Sequence, residues 1–370
     1  MYLNDEYPSN LALPRPTMTE LHQPIPNPGF GKLPLMDLVK AVGAIGRVAM
    51  ETFFFVLDNM FKNNRNGGQK NKLRFFIQRR REGFSAIWFC NPKLCESLNP
   101  LITADVVILF AHGGGYVLGQ PEMYTSLLMR IAEGIEASGR SIAICALDYS
   151  LAPEHVFPRQ LEQMTACWDY ITTELDIPLS KVSLMGDSAG GSLCLSFLVH
   201  MASPAPSVPT VKIAGSPGMG VYLISPWVSL LSEKGYAEKQ DTDVLDARAL
   251  RQWADMATSG ADAPVVQKYL EFASSCDDLG RILPSRIWVS SGADEIFMHN
   301  ISAFVDAARA SGCRVEFEVK DGQAHDWQLV ESLEYEDKFL SQRYGVFEDG
   351  VMTGAASIAQ AMVRAFTWKE

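Results

Sequence analysis

Short apolar runs alternate with longer amphipathic stretches from about residue 73 to the end of the chain. Short buried strands that alternate with helices are typical of a mostly parallel sheet covered on both faces. An opening hairpin is predicted at 73–78 and 85–90, later strands at 106–110, 141–147, 181–185, 220–224, 286–290 and 314–319, and crossover helices at 123–138 and 157–174. The pattern therefore predicts an α/β fold with an eight-stranded sheet.

The first segment of the chain has a different pattern. Seven prolines lie within residues 1–34, which predicts an extended arm because proline lacks a backbone donor and fixes φ. From Leu38 to Met60 the apolar positions step by three or four, as in an amphipathic helix, and Phe53 lies on its apolar side. Packing of this helix on its own domain is the simpler interpretation, and a lid over a lipid-like substrate or a membrane surface is the alternative.

One internal segment interrupts the alternation of strands and helices. Residues 231–283 are richer in polar residues and contain a helical stretch at 245–258. We interpret this segment as a helical cap inserted between two strands. The predicted division is an arm and N-terminal cap helix at 1–72 and a core formed by 73–230 and 284–370.

The strongest chemical signal is the sequence Gly186-Asp-Ser-Ala-Gly-Gly, which follows the predicted strand 181–185 and precedes a helical run. A nucleophilic serine on a tight strand-to-helix turn needs this context, and the flanking glycines give the backbone room. Ser188 is the candidate nucleophile. A glycine-rich turn without chemical importance is the alternative, because this short motif also occurs by chance.

A second glycine-rich motif, His112-Gly-Gly-Gly-Tyr, follows the predicted strand 106–110. Successive glycines leave backbone N–H groups uncovered, so that they can bind a developing oxyanion together with the N–H after the nucleophile, here Ala189. A phosphate-binding loop is the alternative, but the Lys-Ser/Thr pair and the G-x-G-x-x-G spacing are missing.

A serine nucleophile requires a base and a carboxylate that orients this base. Of the six histidines, His325 is the candidate base because it follows the strand 314–319 through a short turn. Asp294 is the candidate carboxylate, since it follows the strand 286–290 at the edge where ligand sites of parallel sheets gather. Glu295 is its rival, and Asp326 is interpreted as a solvated turn residue.

Composition and charge exclude several classes of protein. The formal net charge is −11 and no basic cluster dominates, so general nucleic-acid binding is not expected. The seven cysteines have no repeated short spacing, so neither a disulfide framework nor a metal site is indicated. The N-terminus has no secretory signal and no apolar run is long enough to span a membrane, and we expect a cytoplasmic protein. A homodimer and peripheral membrane contact remain open.

Together these motifs make the chain resemble the hormone-sensitive-lipase-type branch of the α/β-hydrolases, the family IV esterases, over roughly residues 75–368. The motifs in this sequence are His112-Gly-Gly-Gly-Tyr, Asp148–Pro158, Gly186-Asp-Ser-Ala-Gly-Gly, Ser225-Pro-Trp, Asp294 and His325. The order Ser188, Asp294, His325 is that of an α/β-hydrolase. The resemblance implies the oxyanion donors Gly114, Gly115 and Ala189, and a chemistry without metal or cofactor. It also implies a cap over an apolar pocket with Tyr116, Trp227 and Phe53.

The sequence differs from this family at several positions. Ser150 replaces a common arginine, Met298 replaces a second aspartate, and Asp326 and Trp327 follow the histidine where a small residue and Phe are usual. We expect a serine hydrolase that cleaves carboxylic esters of apolar small molecules. A thioesterase, transacylase or cyclase-type tailoring enzyme with the same triad is the alternative. A non-catalytic binding protein is the third hypothesis, and the presence of His325 counts against it.

Overall fold

The computed structural model describes residues 75–81, 83–90, 103–273 and 279–367. The predicted N-terminal arm and helix, including Phe53, lie outside these ranges. Within the described ranges, a sheet of eight strands has the order β1-β2-β4-β3-β5-β6-β7-β8. Its strands are β1 Phe75–Arg81, β2 Phe84–Cys90, β3 Val106–Ala111, β4 Ile142–Asp148, β5 Val182–Asp187, β6 Val221–Ile224, β7 Ile287–Gly292 and β8 Val315–Lys320.

The strand predictions are confirmed, with boundaries shifted by one to three residues. β1 and β2 form the predicted antiparallel hairpin, and β2 pairs antiparallel with β4. All other neighbouring strands are parallel. The eight-stranded, mostly parallel sheet predicted from the apolar runs is therefore present.

Helices follow most of the strands. They are α1 Thr125–Ala137, α2 Arg159–Asp169, α3 Ser188–Ala202, α4 Tyr236–Lys239, α5 Ala247–Thr258, α6 Ala263–Tyr269, α7 Leu279–Ile282, α8 Met298–Ala310, α9 Trp327–Glu334, α10 Glu336–Ser341 and α11 Thr353–Thr367. None of the helices in the described ranges is long and apolar enough to span a membrane.

The two faces of the sheet are buried in two separate apolar clusters. Along β3, Val107 and Leu109 belong to one cluster, whereas Ile108 and Phe110 belong to the other. Successive side chains of a strand point to opposite faces, so a strand that is apolar at every position has helices on both sides. Residues of α2, α3 and α8 cover the first face and residues of α1 and α11 cover the second.

The segment between β6 and β7 contains the helices α4 to α7. The helix predicted at 245–258 is present as α5. The side chain of Asp246 caps the start of α5 by accepting a hydrogen bond from Ala249 N at 2.9 Å. The backbone N–H of Phe157 donates to Ala257 O at 2.8 Å, which attaches the other end of α5 to the core.

Cys90 in β2 is disulfide-bonded, and Cys145, Cys167 and Cys194 are free thiols. The sequence contained no indication of this bond, because cysteine spacing alone does not show which thiols meet in space. The described residues contain no cluster of three or more side chains able to hold a metal ion.

Candidate active site

Ser188 lies where β5 ends and α3 begins. Its φ of 48° is in the left-handed region, which is strained for a residue with a side chain. A Cβ atom on Gly190, in the first turn of the helix, would overlap the carbonyl oxygen of Ala111 at the end of β3. Glycine is therefore required there, because α3 packs its backbone directly against the backbone of β3. This is the geometry predicted for a nucleophile elbow.

The glycine-rich loop after β3 approaches the serine from the neighbouring strand. The N–H of Gly113 donates to Asp187 Oδ1 at 2.9 Å, and the Tyr124 hydroxyl donates to Asp187 Oδ2 at 2.8 Å. The N–H groups of Gly114 and Gly115 donate to no residue in the described ranges. Ala189 is in the first turn of α3, where N–H groups have no intrahelical acceptor. The N–H groups of Gly114, Gly115 and Ala189 thus have no acceptor in the described ranges, as an oxyanion hole would require.

His325 lies on the loop after β8 and is only 4% exposed. The edge of the Phe297 ring meets its imidazole with a centroid distance of 5.0 Å. Phe297 also stacks on Trp227 at 5.7 Å, and the N–H of Trp227 donates to Ser188 O at 2.9 Å. This chain of contacts places the imidazole on the same edge of the sheet as the serine, consistent with the prediction.

The structure does not bring the Asp294 carboxylate to His325, contrary to our expectation. Asp294 Oδ1 lies 3.5 Å from Lys239 Nζ, and the side chain of Asp294 is 39% exposed. His325 Nδ1 has no hydrogen-bond partner among the described residues, so the predicted bond from His325 to Asp294 is not formed. The physical reason is that the backbone turns after β7, so that Asp294 faces solvent and the next residue faces inward.

Glu295, the rival carboxylate, is completely buried at this edge. Its Oε2 accepts hydrogen bonds from Ser225 Oγ at 2.6 Å and from Gly292 N at 2.9 Å. Its Oε1 is buried and has no partner in the described ranges, and the same holds for His325 Nδ1. An unpaired buried polar atom is costly, and the two residues that carry these atoms interact electrostatically.

Asp326 does not behave as the solvated turn residue that we expected. It is 9% exposed, and its Oδ2 lies 3.1 Å from His325 Nε2. Its backbone N–H donates to Ser225 Oγ at 3.2 Å, and its φ of 51° is left-handed. The strained backbone turns the carboxylate inward toward the imidazole instead of toward water.

The buried carboxylates determine the charge of His325. Burial alone lowers the pKa of the imidazole, but Asp326, Glu295 and Asp243 outweigh this effect and raise it to about 10. Burial raises the pKa of Glu295 to about 8, although the charge of His325 acts in the opposite direction. The resting site therefore favours a protonated imidazole held among acidic groups.

His112 and His200 are buried, and their rings pack against or bond to other parts of the core. His112 is fully buried, its ring stacks on Tyr149 at 4.1 Å, and burial lowers its pKa to about 4. His200 is buried in α3, and its Nδ1 accepts a hydrogen bond from Ala205 N at 3.0 Å. The rings of His112 and His200 are thus engaged in contacts away from Ser188.

Of the predicted pocket residues, Trp227 is 1% exposed beneath Phe297, and Tyr116 is fully buried in the core. Trp253 of α5 was not among the predicted pocket residues. A Cβ atom on Gly115 would lie only 2.5 Å from Trp253 Cε3, so the indole ring packs directly on the glycine loop. A tryptophan in the predicted cap helix was the available signal, but nothing in the sequence paired it with this glycine.

A cavity of about 1050 Å³ lies far from these residues, at the opposite edge of the sheet. Its walls come from the starts of β7 and β8 and from the ends of α8 and α11, and they include Arg309, Arg314 and Arg364. It shares none of the side chains considered above.

The fold, the elbow and the glycine loop define the α/β-hydrolase class, and a family model for the alpha/beta hydrolase fold matches residues 108–329. The chain belongs to this family.

Among curated proteins it is similar to an acetyl-hydrolase of Streptomyces hygroscopicus, with 28% identity over 68% of this chain and 78% of the relative. An esterase of Acinetobacter venetianus is 23% identical over 63% of this chain and 71% of the relative. A solved esterase of the bacterial hormone-sensitive lipase family has a TM-score of 0.65 at 22% identity, and the match covers 90% of this chain and 99% of that one.

Proposed function

We propose that this protein is a serine hydrolase that cleaves carboxylic esters of apolar small molecules through an acyl-enzyme intermediate. The observation that carries the proposal is the strained Ser188 beside free N–H groups of Gly114 and Gly115 at the end of the adjoining strand. The similarity to proteins named acetyl-hydrolase and esterase supports the same reaction.

In the proposed mechanism, Ser188 Oγ attacks the ester carbonyl while His325 takes its proton. The N–H groups of Gly114, Gly115 and Ala189 bind the oxyanion of the tetrahedral intermediate. The bond to the alcohol then breaks, and His325 gives its proton to the leaving alkoxide. Water activated by His325 attacks the acyl-enzyme in the same way, which releases the acid and restores the serine.

Glu295, rather than Asp294, is the carboxylate that we assign to this triad. Its unpartnered Oε1 and the unpartnered His325 Nδ1 are both buried, and their pairing satisfies both atoms and orients the base. His325 Nε2, which contacts Asp326 in the resting structure, then has to exchange this carboxylate for the Ser188 hydroxyl. Substrate entry and loss of the proton from the imidazole favour that exchange.

An apolar substrate is supported by the aromatic residues around the reactive groups. Trp253 packs on Gly115 from the cap helix α5, and Phe297 lies between Trp227 and His325. Large aromatic side chains stabilise apolar groups by burying their surface. We propose the division into core and cap that the sequence predicts, and the contact of α5 with Gly115 supports it.

We propose a cytoplasmic location for the protein. The free thiols of Cys145, Cys167 and Cys194 favour a reducing compartment, whereas the disulfide at Cys90 favours an oxidising one. Differential alkylation of Cys90 in a fresh cell extract tests the location. A fully oxidised Cys90 in the extract contradicts a cytoplasmic protein.

Replacement of the nucleophile tests the proposed reaction. We expect Ser188→Ala to lose hydrolysis of p-nitrophenyl butyrate and labelling by a fluorophosphonate probe, while Ser311→Ala, an exposed serine after α8, retains both. Wild-type activity in Ser188→Ala would refute the proposal. Mass spectrometry of the products from ester and thioester substrates, with and without added alcohol, separates hydrolysis from transacylation.

A further inference from the structure

Asp243 lies in the segment between β6 and β7, four residues before α5, and is only 2% exposed. Its carboxylate accepts three backbone hydrogen bonds. Oδ1 accepts from Val244 N at 2.6 Å and from His325 N at 2.9 Å, and Oδ2 accepts from Ile296 N at 2.6 Å. One side chain of the predicted cap therefore holds the loop after β7 and the loop after β8 at the same time.

The neighbouring residue contributes to the same contact. The hydroxyl of Thr242 donates to Asp294 O at 3.0 Å. Together, Thr242 and Asp243 bind the backbone on both sides of Glu295, at Asp294 O and Ile296 N. The position of the Glu295 backbone is thus determined by two consecutive residues of the segment that also carries Trp253.

Two of these bonds link the loops beyond the paired ends of β7 and β8, next to the backbone bond from Asp294 N to Gln323 O at 2.9 Å. Glu295 lies three residues beyond the end of β7 and His325 five residues beyond the end of β8, so the sheet alone does not set the distance between their side chains. A carboxylate that accepts from Ile296 N and from His325 N adds a direct link at these two positions. Hydrogen bonds to a charged acceptor are stronger than neutral ones, which suits them to hold a loop in place.

We propose that Asp243 is a positioning residue, which sets the separation between Glu295 and His325 and couples the cap segment to the reactive groups. The inference rests on the proposed serine hydrolase function. Asp243 does not contact Ser188, and it acts through the two residues whose backbone it holds. A shift of about 1 Å in such a pair can reduce turnover by about 10²-fold.

The test compares Asp243→Asn with Asp246→Asn. Asp246 is three residues away in the same segment and also accepts a backbone hydrogen bond, from Ala249 N, but it contacts neither loop. We expect Asp243→Asn to lower kcat by about 10²-fold with a KM change of less than about threefold, since transition-state positioning is lost and substrate binding is kept. We expect Asp246→Asn to leave both the free energy of unfolding and kcat nearly unchanged, because Asn caps a helix start about as well as Asp.

The pH profile provides a readout that a purely structural role would not move. Glu295, Asp326 and Asp243 all act on the His325 imidazole, Asp187 lies behind the nucleophile, and the nearby Lys239 is bound to Asp294. Removal of one of these negative charges lowers the pKa of His325. The rising limb of kcat against pH therefore moves to lower pH in Asp243→Asn and stays in place in Asp246→Asn.

Equal kcat values and pH profiles for Asp243→Asn and Asp246→Asn would overturn the inference. If Asp243→Asn does not fold, Thr242→Val tests the inference instead. Thr242 is exposed, and its hydroxyl binds the same loop after β7. A lower kcat with unchanged free energy of unfolding supports positioning, and an unchanged kcat refutes it. Loss of activity in Ser188→Ala with no effect in these variants would reject this inference alone, whereas an active Ser188→Ala would reject the proposed function.

Discussion

Trp253 packs its indole ring on the backbone of Gly115, so closely that a Cβ atom on the glycine would lie 2.5 Å from Trp253 Cε3. Gly115 has a φ of 63° and supplies one of the proposed oxyanion donors. The helix that carries Trp253 is therefore a wall of the reactive site.

The contact predicts that Gly115→Ala lowers kcat by about 10²–10³-fold, because the new methyl group displaces the loop and its oxyanion donor. Trp253→Ala removes the obstacle, so the double variant should be more active than the product of the two single effects predicts. The alanine at position 115 remains strained at a positive φ, so the activity of the double variant should stay below that of the wild type. A double-mutant cycle on kcat/KM measures this coupling, and additive effects would contradict it.

The two adjacent acidic residues after β7 should differ sharply in their effect on catalysis. We expect Glu295→Gln to lower kcat by about 10³–10⁴-fold, as expected for loss of the carboxylate that orients a triad histidine. Asp294→Asn should remain within about threefold of the wild type, because its carboxylate faces solvent and Lys239. Steady-state kinetics on p-nitrophenyl butyrate compares the pair, and the reverse ranking would restore Asp294 as the triad acid.

Asp326 should control the pH dependence of the enzyme. The base must be neutral to accept a proton, and the carboxylates around His325 raise its pKa to about 10, so activity should increase with pH into the alkaline range. Asp326→Asn removes the nearest negative charge, which lowers the pKa of His325. The rising limb of the pH–activity profile therefore moves to lower pH. Profiles of kcat/KM against pH test this shift, and Asp321→Asn, at an exposed position, is the control. An unchanged profile in Asp326→Asn would contradict the proposed effect of Asp326 on the pKa of His325.

Protonation of His325 also stabilises the folded state relative to the unfolded chain. A folded-state pKa of about 10 lies above the value of about 6.5 in the unfolded chain. The stabilisation is therefore fully present below pH 6.5 and is lost as the pH rises toward 10.

Tyr124 should support the glycine loop through Asp187. Its hydroxyl donates to Asp187 Oδ2 at 2.8 Å and accepts from Gly113 N at 3.0 Å. Tyr124→Phe leaves a buried carboxylate oxygen unpaired, which should cost about 1–3 kcal/mol of unfolding free energy. Urea denaturation measures the change. Tyr335→Phe, whose hydroxyl has no hydrogen bond in the described structure, should change it by less than about 0.5 kcal/mol.

Much of this arrangement was predictable from the sequence, because it depends on local patterns. The apolar runs predicted every strand of the sheet, and the motifs around Ser188 and Gly114 predicted a tight turn and a loop with free donors. Such features are determined by residues that lie close to the motif in the sequence.

The choice between Asp294 and Glu295 was not predictable in the same way. It depends on how the backbone turns after Gly292, and this turn is held by Thr242 and Asp243 from a distant segment of the chain. The inward orientation of Asp326 likewise depends on Ser225, which is 101 positions earlier. No spacing or periodicity reports contacts of this kind.

The close approach of Gly190 to Ala111 has a consequence for divergence among related chains. Backbone atoms of Ala111 and His112 set how closely α3 approaches the end of β3. Side chains elsewhere in the core can therefore change without altering this spacing, provided that the glycine is retained. Chains that share only about a fifth of their residues, such as the solved esterase at 22% identity, can thus keep the same junction between α3 and β3.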